Sequence, residues 1–106
     1  MTHPKSQNRF DPGVFPALQE FLPAYLHEDF GEEYGSAAQA MAALLSEASD
    51  DQIHNVKKEW RMLRQQFAGH PLFNLQRALA ALGAAWQPQS DQELQAVDEI
   101  LGRAGA

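Results

Sequence analysis

The sequence predicts a single all-α domain, a bundle of about five helices, and three observations lead there. No stretch of six residues alternates apolar with polar side chains, so the period of a half-buried strand is missing. Apolar residues instead recur at helical spacing, in a chain rich in alanine. Three serines, Ser36, Ser49 and Ser90, stand three residues before Gln39, Gln52 and Glu93, the spacing of a helix capping box. A chain of 106 residues suits one domain with one core, large enough to fold without covalent staples.

The first thirteen residues contain His3-Pro4 and Asp11-Pro12-Gly13 and read as a loose N-terminal arm, residues 1–13, ahead of one helical domain, 14–106. A first helix is expected over Pro16 to Asp29. Leu18, Phe21, Leu22, Tyr25 and Leu26 form one apolar stripe, and Pro16 suits the first helical position, where no N–H is needed. Pro23 lies inside that span, where a proline costs about 3 kcal/mol, so a kink or a restart is expected there. Gly31 to Gly35 reads as a loop. Ser36 then opens a second helix that buries Met41, Leu44 and Leu45.

Ser49 opens the third helix, Asp50 to Phe67, whose Ile53, Val56, Trp60, Leu63 and Phe67 fall within a sector of roughly 80°. Gly69-His70-Pro71 breaks the chain before a fourth helix, Pro71 to Leu82, with Leu72, Leu75, Leu79 and Leu82 inside and Gly83 as its stop. Trp86 to Gln89 reads as a loop. Ser90 opens the fifth helix, which buries Leu94, Val97, Ile100 and Leu101. Short connections make this an antiparallel bundle or array.

Composition narrows the function classes. With 44% hydrophobic and 21% charged residues the chain is globular in type. The absence of cysteine excludes a disulfide framework, a thiolate zinc site and a cysteine nucleophile, and it fits a reducing cytoplasm. The polar start carries no secretory signal, and no apolar run approaches the ~20 residues of a membrane span, so a soluble cytoplasmic chain is expected. Fourteen acidic against eight basic residues give a formal charge of −6. Such a surface repels nucleic acid and membranes and attracts basic proteins.

Catalytic chemistry finds no foothold. None of Ser6, Ser36, Ser46, Ser49 and Ser90 sits on a glycine-flanked elbow, and the glycines are too scattered for a phosphate cradle. His27 and Asp29 are two apart, hence about 200° apart on a helix, which is the wrong spacing for a metal pair. No catalytic residue, metal site or cofactor is expected, and the chain reads as a binding protein and not an enzyme.

The strongest electrostatic feature is Glu28, Asp29, Glu32 and Glu33, four carboxylates in six residues. They are read at the C-terminal end of the first helix, where negative charge is disfavoured. They form either a solvated turn neutralised by nearby bases or a site for a basic partner. On the second reading Glu28, Glu32 and Glu33, with Glu47, Asp50 and Asp51, meet that partner. Lys57, Lys58, Arg61 and Arg64 hold half of the positive charge. They are expected to lay their stems on the core edge and reach acids on neighbouring helices, with a nucleic-acid surface as the competing reading. Trp60 is in phase with the core, whereas Trp86 is open to either a core or an interface role.

Residues of the N-terminal third form a composite pattern: Phe15-Pro16-Ala17-Leu18, Phe21-Leu22, Tyr25, His27-Glu28-Asp29-Phe30 and Tyr34-Gly35-Ser36. In this the chain resembles the immunity proteins of bacterial contact-dependent growth inhibition systems. The likeness covers about Phe15 to Leu45, and Leu82-Gly83 with Trp86 before Pro88 resembles the family's closing segment. Two positions depart: Phe30 stands where the family usually has Trp, and Pro23 interrupts what is elsewhere ordinary helix. The resemblance implies a cytoplasmic protein that binds the toxic C-terminal domain of a cell-surface exoprotein as a monomer in a one-to-one complex. It implies inhibition by stoichiometric occlusion, often of a nuclease, with no cofactor. A helical adaptor or oligomerising module is the alternative.

Overall fold

A computed structural model describes residues 10–103. Among them there is no strand, and six helices follow one another: α1 (Pro16–Tyr25), α2 (Phe30–Tyr34), α3 (Ala37–Glu47), α4 (Asp50–Gln66), α5 (Leu72–Ala81) and α6 (Asp91–Arg103). α3 packs on α6, and α1 packs on α4 and α3, while α4 also meets α6. The expected all-α fold is what the chain adopts. No helix among the described residues is long and apolar enough to cross a membrane.

The apolar stripes converge on one core. Leu18, Leu22 and Leu26 from the first segment, Met41 and Leu44 from α3, Val56 and Leu63 from α4, Leu79 from α5 and Leu101 after them are all fully buried. Both tryptophans belong to this core, Trp60 at 1% and Trp86 at 4% exposure. Burying such large rings removes about 150–250 Å² each from water, which makes them leading contributors to stability. Each buried indole N–H still finds an acceptor: Trp60 Nε1 donates to Asp98 at 2.8 Å and Trp86 Nε1 to Glu93 at 3.2 Å.

Three boundaries differ from the sequence reading. α1 runs through Pro23 without a break and stops at Tyr25 rather than Asp29. Proline at this position lacks the N–H that would bond the Gln19 carbonyl, so the helix forgoes that bond and ends two residues later. The chain leaves the helix at Leu26, whose carbonyl instead accepts the Ala85 N–H at 2.7 Å. Gly31 to Gly35 is not simply a loop either, since Phe30–Tyr34 forms the short helix α2, ended by Gly35 at φ 97°. Finally, the end of the expected arm is packed. Phe10 stacks on Phe15 with centroids 5.5 Å apart and tilts against Phe67 at 5.8 Å. Asp11 caps the 3-10 turn Pro12–Val14 by accepting the Gly13 N–H at 2.8 Å. Residues 1–9 of that arm lie outside the described residues.

Candidate functional site

The six carboxylates expected to meet a partner, Glu28, Glu32, Glu33, Glu47, Asp50 and Asp51, are all exposed. A network at the junction of α1, α2 and α3 joins two of them. Tyr25, at the end of α1, donates its hydroxyl to Glu47 at the end of α3, and its ring lies 5.9 Å from that of Tyr34. The hydrogen bond to Glu47 and partial burial push the Tyr25 hydroxyl up to about 12. Partial burial and the Glu33 carboxylate also hold Tyr34 above the ordinary tyrosine range.

His27 closes the same corner. Its Nδ1 accepts the Asp29 N–H at 3.0 Å, which leaves the proton on Nε2 to be shared with Glu33 at 2.8 Å. This is hydrogen bonding within a turn, and no group of three or more His, Cys, Asp or Glu among the described residues could hold a metal ion. Gly35 then reverses the chain, and Ser36 caps α3 by accepting the Gln39 N–H at 3.1 Å. The motif residues from Tyr25 to Ser36 are therefore the parts of one corner.

Glu33 and Glu47 thus have internal partners. Glu28, Glu32, Asp50 and Asp51 have none among the described residues and face water as unneutralised charge. The helix-end reading of this cluster is corrected by α1's early stop. Glu32 and Glu33 fall in the first turn of α2, and Asp50 and Asp51 in the first turn of α4. Negative charge is favoured at such positions, so these acids do not weaken the helices that carry them.

The basic residues of α4 do not neutralise this corner. Arg64 reaches α6 instead, donating through Nε and Nη2 to both oxygens of Asp98 at 3.0–3.3 Å. The expectation of acids on a neighbouring helix therefore holds for Arg64, while Lys57, Lys58 and Arg61 pair with no acid among the described residues. Arg61 and Arg64 line an open groove of about 720 Å³ between α4 and α6, but Asp91 and Asp98 line it as well. Those carboxylates cancel the field that a nucleic-acid surface requires.

Two carboxylates with structural duties escaped the sequence reading. Glu59 is 6% exposed and its Oε1 accepts the Leu18 N–H at 2.9 Å, which caps α1 from another helix. Phe15, at the N-cap position, has no side chain to do so. The available signal was position alone: Glu59 lies three residues after Val56 and four before Leu63, on the edge of the buried stripe. Asp98, which serves Trp60 and Arg64 together, gave no local signal. Every buried side-chain polar atom among the described residues has a partner.

A second concavity, of about 290 Å³, opens beside the acidic corner between the α2–α3 turn and α6. Phe30 and Gly35-Ser36 from one end of the composite pattern meet Trp86 from the other end there, together with Glu93. In comparisons with protein families, with curated proteins and with solved structures, nothing matches the chain.

Proposed function

We propose that this protein is an immunity protein that binds a cognate toxin domain in the cytoplasm and holds it inactive without turnover. One observation carries the reading. Of the residues by which the chain resembles contact-dependent growth inhibition immunity proteins, Tyr25 to Ser36 build one hydrogen-bonded corner, and that corner displays Glu28 and Glu32 with no internal cation. A nuclease toxin must present a basic surface to hold phosphates. Carboxylates fixed at the α1–α2–α3 corner would stand where those phosphates lie, and like-charge repulsion at the corner would be relieved on binding.

The test is calorimetry between this protein and the C-terminal domain encoded immediately upstream of it, at two salt concentrations. Tight one-to-one binding that weakens with salt is expected, with loss of toxin activity at one equivalent. Tight but salt-insensitive binding would keep the immunity role and move the interface to an apolar surface. No binding to a folded, active domain would remove the reading.

A helical adaptor or oligomerising module is the second reading, favoured by Phe73. This side chain is 60% exposed on α5, with the Arg77 guanidinium 5.6 Å from its ring centre. Aromatic and arginine side chains are enriched at binding hot spots. Sedimentation showing self-association that Phe73→Ser abolishes would favour it.

A further inference from the structure

We propose that the groove between the α2–α3 turn and α6 is an anchor pocket for one arginine side chain of the protein partner. This rests on the reading above that the partner is a basic protein, and it names the point where that partner is gripped. At about 290 Å³ the groove falls just below the range of about 300–1,000 Å³ for small-molecule sites, so a single side chain is the fitting occupant. Its lining divides by chemistry. Ala37, Ala38 and Ala96 leave room and offer apolar contact for a methylene stem, while Phe30, half-buried, presents ring surface.

Glu93 supplies the charge. Its Oε1 accepts the Trp86 indole N–H at 3.2 Å, which orients the carboxylate, while Oε2 bonds no group among the described residues. Because Trp86 is only 4% exposed, it acts as the fixed back wall and not as a stacking platform. The α6 N-terminus, in whose first turn Glu93 stands, opposes a cation with about half a unit of charge. The full charge of Glu93 outweighs that, and the chain as a whole carries −6. A planar guanidinium can lie on the ring of Phe30 and donate to the free carboxylate oxygen at once, which an ammonium cannot do as well.

The experiment uses the protein alone. N-acetyl-arginine amide is titrated while the indole N–H resonances of Trp86 and Trp60 are followed by NMR, with N-acetyl-citrulline amide as the uncharged isostere. Expected is a saturable shift of Trp86, not of Trp60, with the arginine compound and none with the citrulline compound. Glu93→Gln, which keeps an acceptor for Trp86, and Ala38→Phe, which fills the groove, should each abolish it. Equal shifts with both compounds, no shift of Trp86, or a shift that survives Glu93→Gln would each overturn the pocket.

In the complex with the upstream-encoded domain, either variant should weaken binding by about tenfold. The two readings fail separately. A Trp86 response without any toxin binding keeps the pocket and removes the immunity role, whereas tight toxin binding with no arginine response does the reverse.

Discussion

Glu59 shows what a single side chain can hold in place. A buried N–H without an acceptor costs about 1–3 kcal/mol, and the Leu18 N–H has only Glu59 to accept it. Glu59→Ala should therefore destabilise the fold by about 2 kcal/mol, whereas Glu59→Gln, which keeps the acceptor oxygen, should lose less than about 1 kcal/mol. Urea midpoints of the two variants check this, and equal losses would mean that charge or packing matters more than the cap. Tyr25 yields a pH prediction at the same scale. Its hydroxyl titrates near 12 in the fold, against 10.0 for an ordinary tyrosine. The folded state thus holds this proton more tightly, so the contribution is complete below pH 10 and disappears as pH rises toward 12. In a Tyr34→Phe background Tyr25 is the sole tyrosine, and a spectrophotometric pH jump reads it directly. Glu47→Gln should bring that titration back toward 10, because the hydrogen bond to Glu47 is the largest cause of the shift.

The start of α4 rests on neighbouring residues and was legible, whereas the end of α1 rests on a distant one and was not. Ser49 caps α4 with both halves of a capping box: its Oγ accepts the Gln52 N–H at 3.2 Å, and Gln52 Oε1 accepts the Ser49 N–H at 2.9 Å. Ser90 has the same spacing but only the weak half, at 3.4 Å, because the Glu93 side chain turns to Trp86. Ser49→Ala should cost about 1 kcal/mol and Ser90→Ala clearly less, measured by denaturant unfolding. α1 escaped prediction at its end because Ala85, 59 residues further along the chain, takes the Leu26 carbonyl that another helical turn would have used. The same long-range contact brings Gly83, at φ 97°, against Pro23, where an added Cβ would come within 3.2–3.4 Å of the ring. Gly83→Ala should therefore destabilise by about 1–3 kcal/mol from backbone strain alone, with crowding against α1 added. The fold class followed from period and caps. The six acids stood out by charge clustering, but which of them find partners depends on how the turn folds and which helix ends meet, and sequence spacing does not carry that.

That division separates carboxylates bonded within the fold from carboxylates that face water. Glu33 and Glu47 serve the fold through His27 and Tyr25, whereas Glu28 and Glu32 touch no cation among the described residues. In a chain of charge −6, with four carboxylates between positions 28 and 33, removing two negative charges there reduces repulsion. The gain is small because exposed charges are screened, and Glu32 also loses a favourable position in the first turn of α2. The double variant Glu28→Gln, Glu32→Gln should thus change stability by no more than about 0.5 kcal/mol in either direction. If the corner receives a basic partner, the same variant should weaken binding and flatten its salt dependence, because fewer charges then contribute to encounter and docking. Glu33→Gln and Glu47→Gln should behave in the opposite sense, lowering the thermal midpoint before affecting affinity by charge alone. Thermal unfolding and calorimetry on all four substitutions decide the matter. A loss of stability in the first pair would mean that those carboxylates have structural partners after all, and unchanged affinity would place the partner on another face.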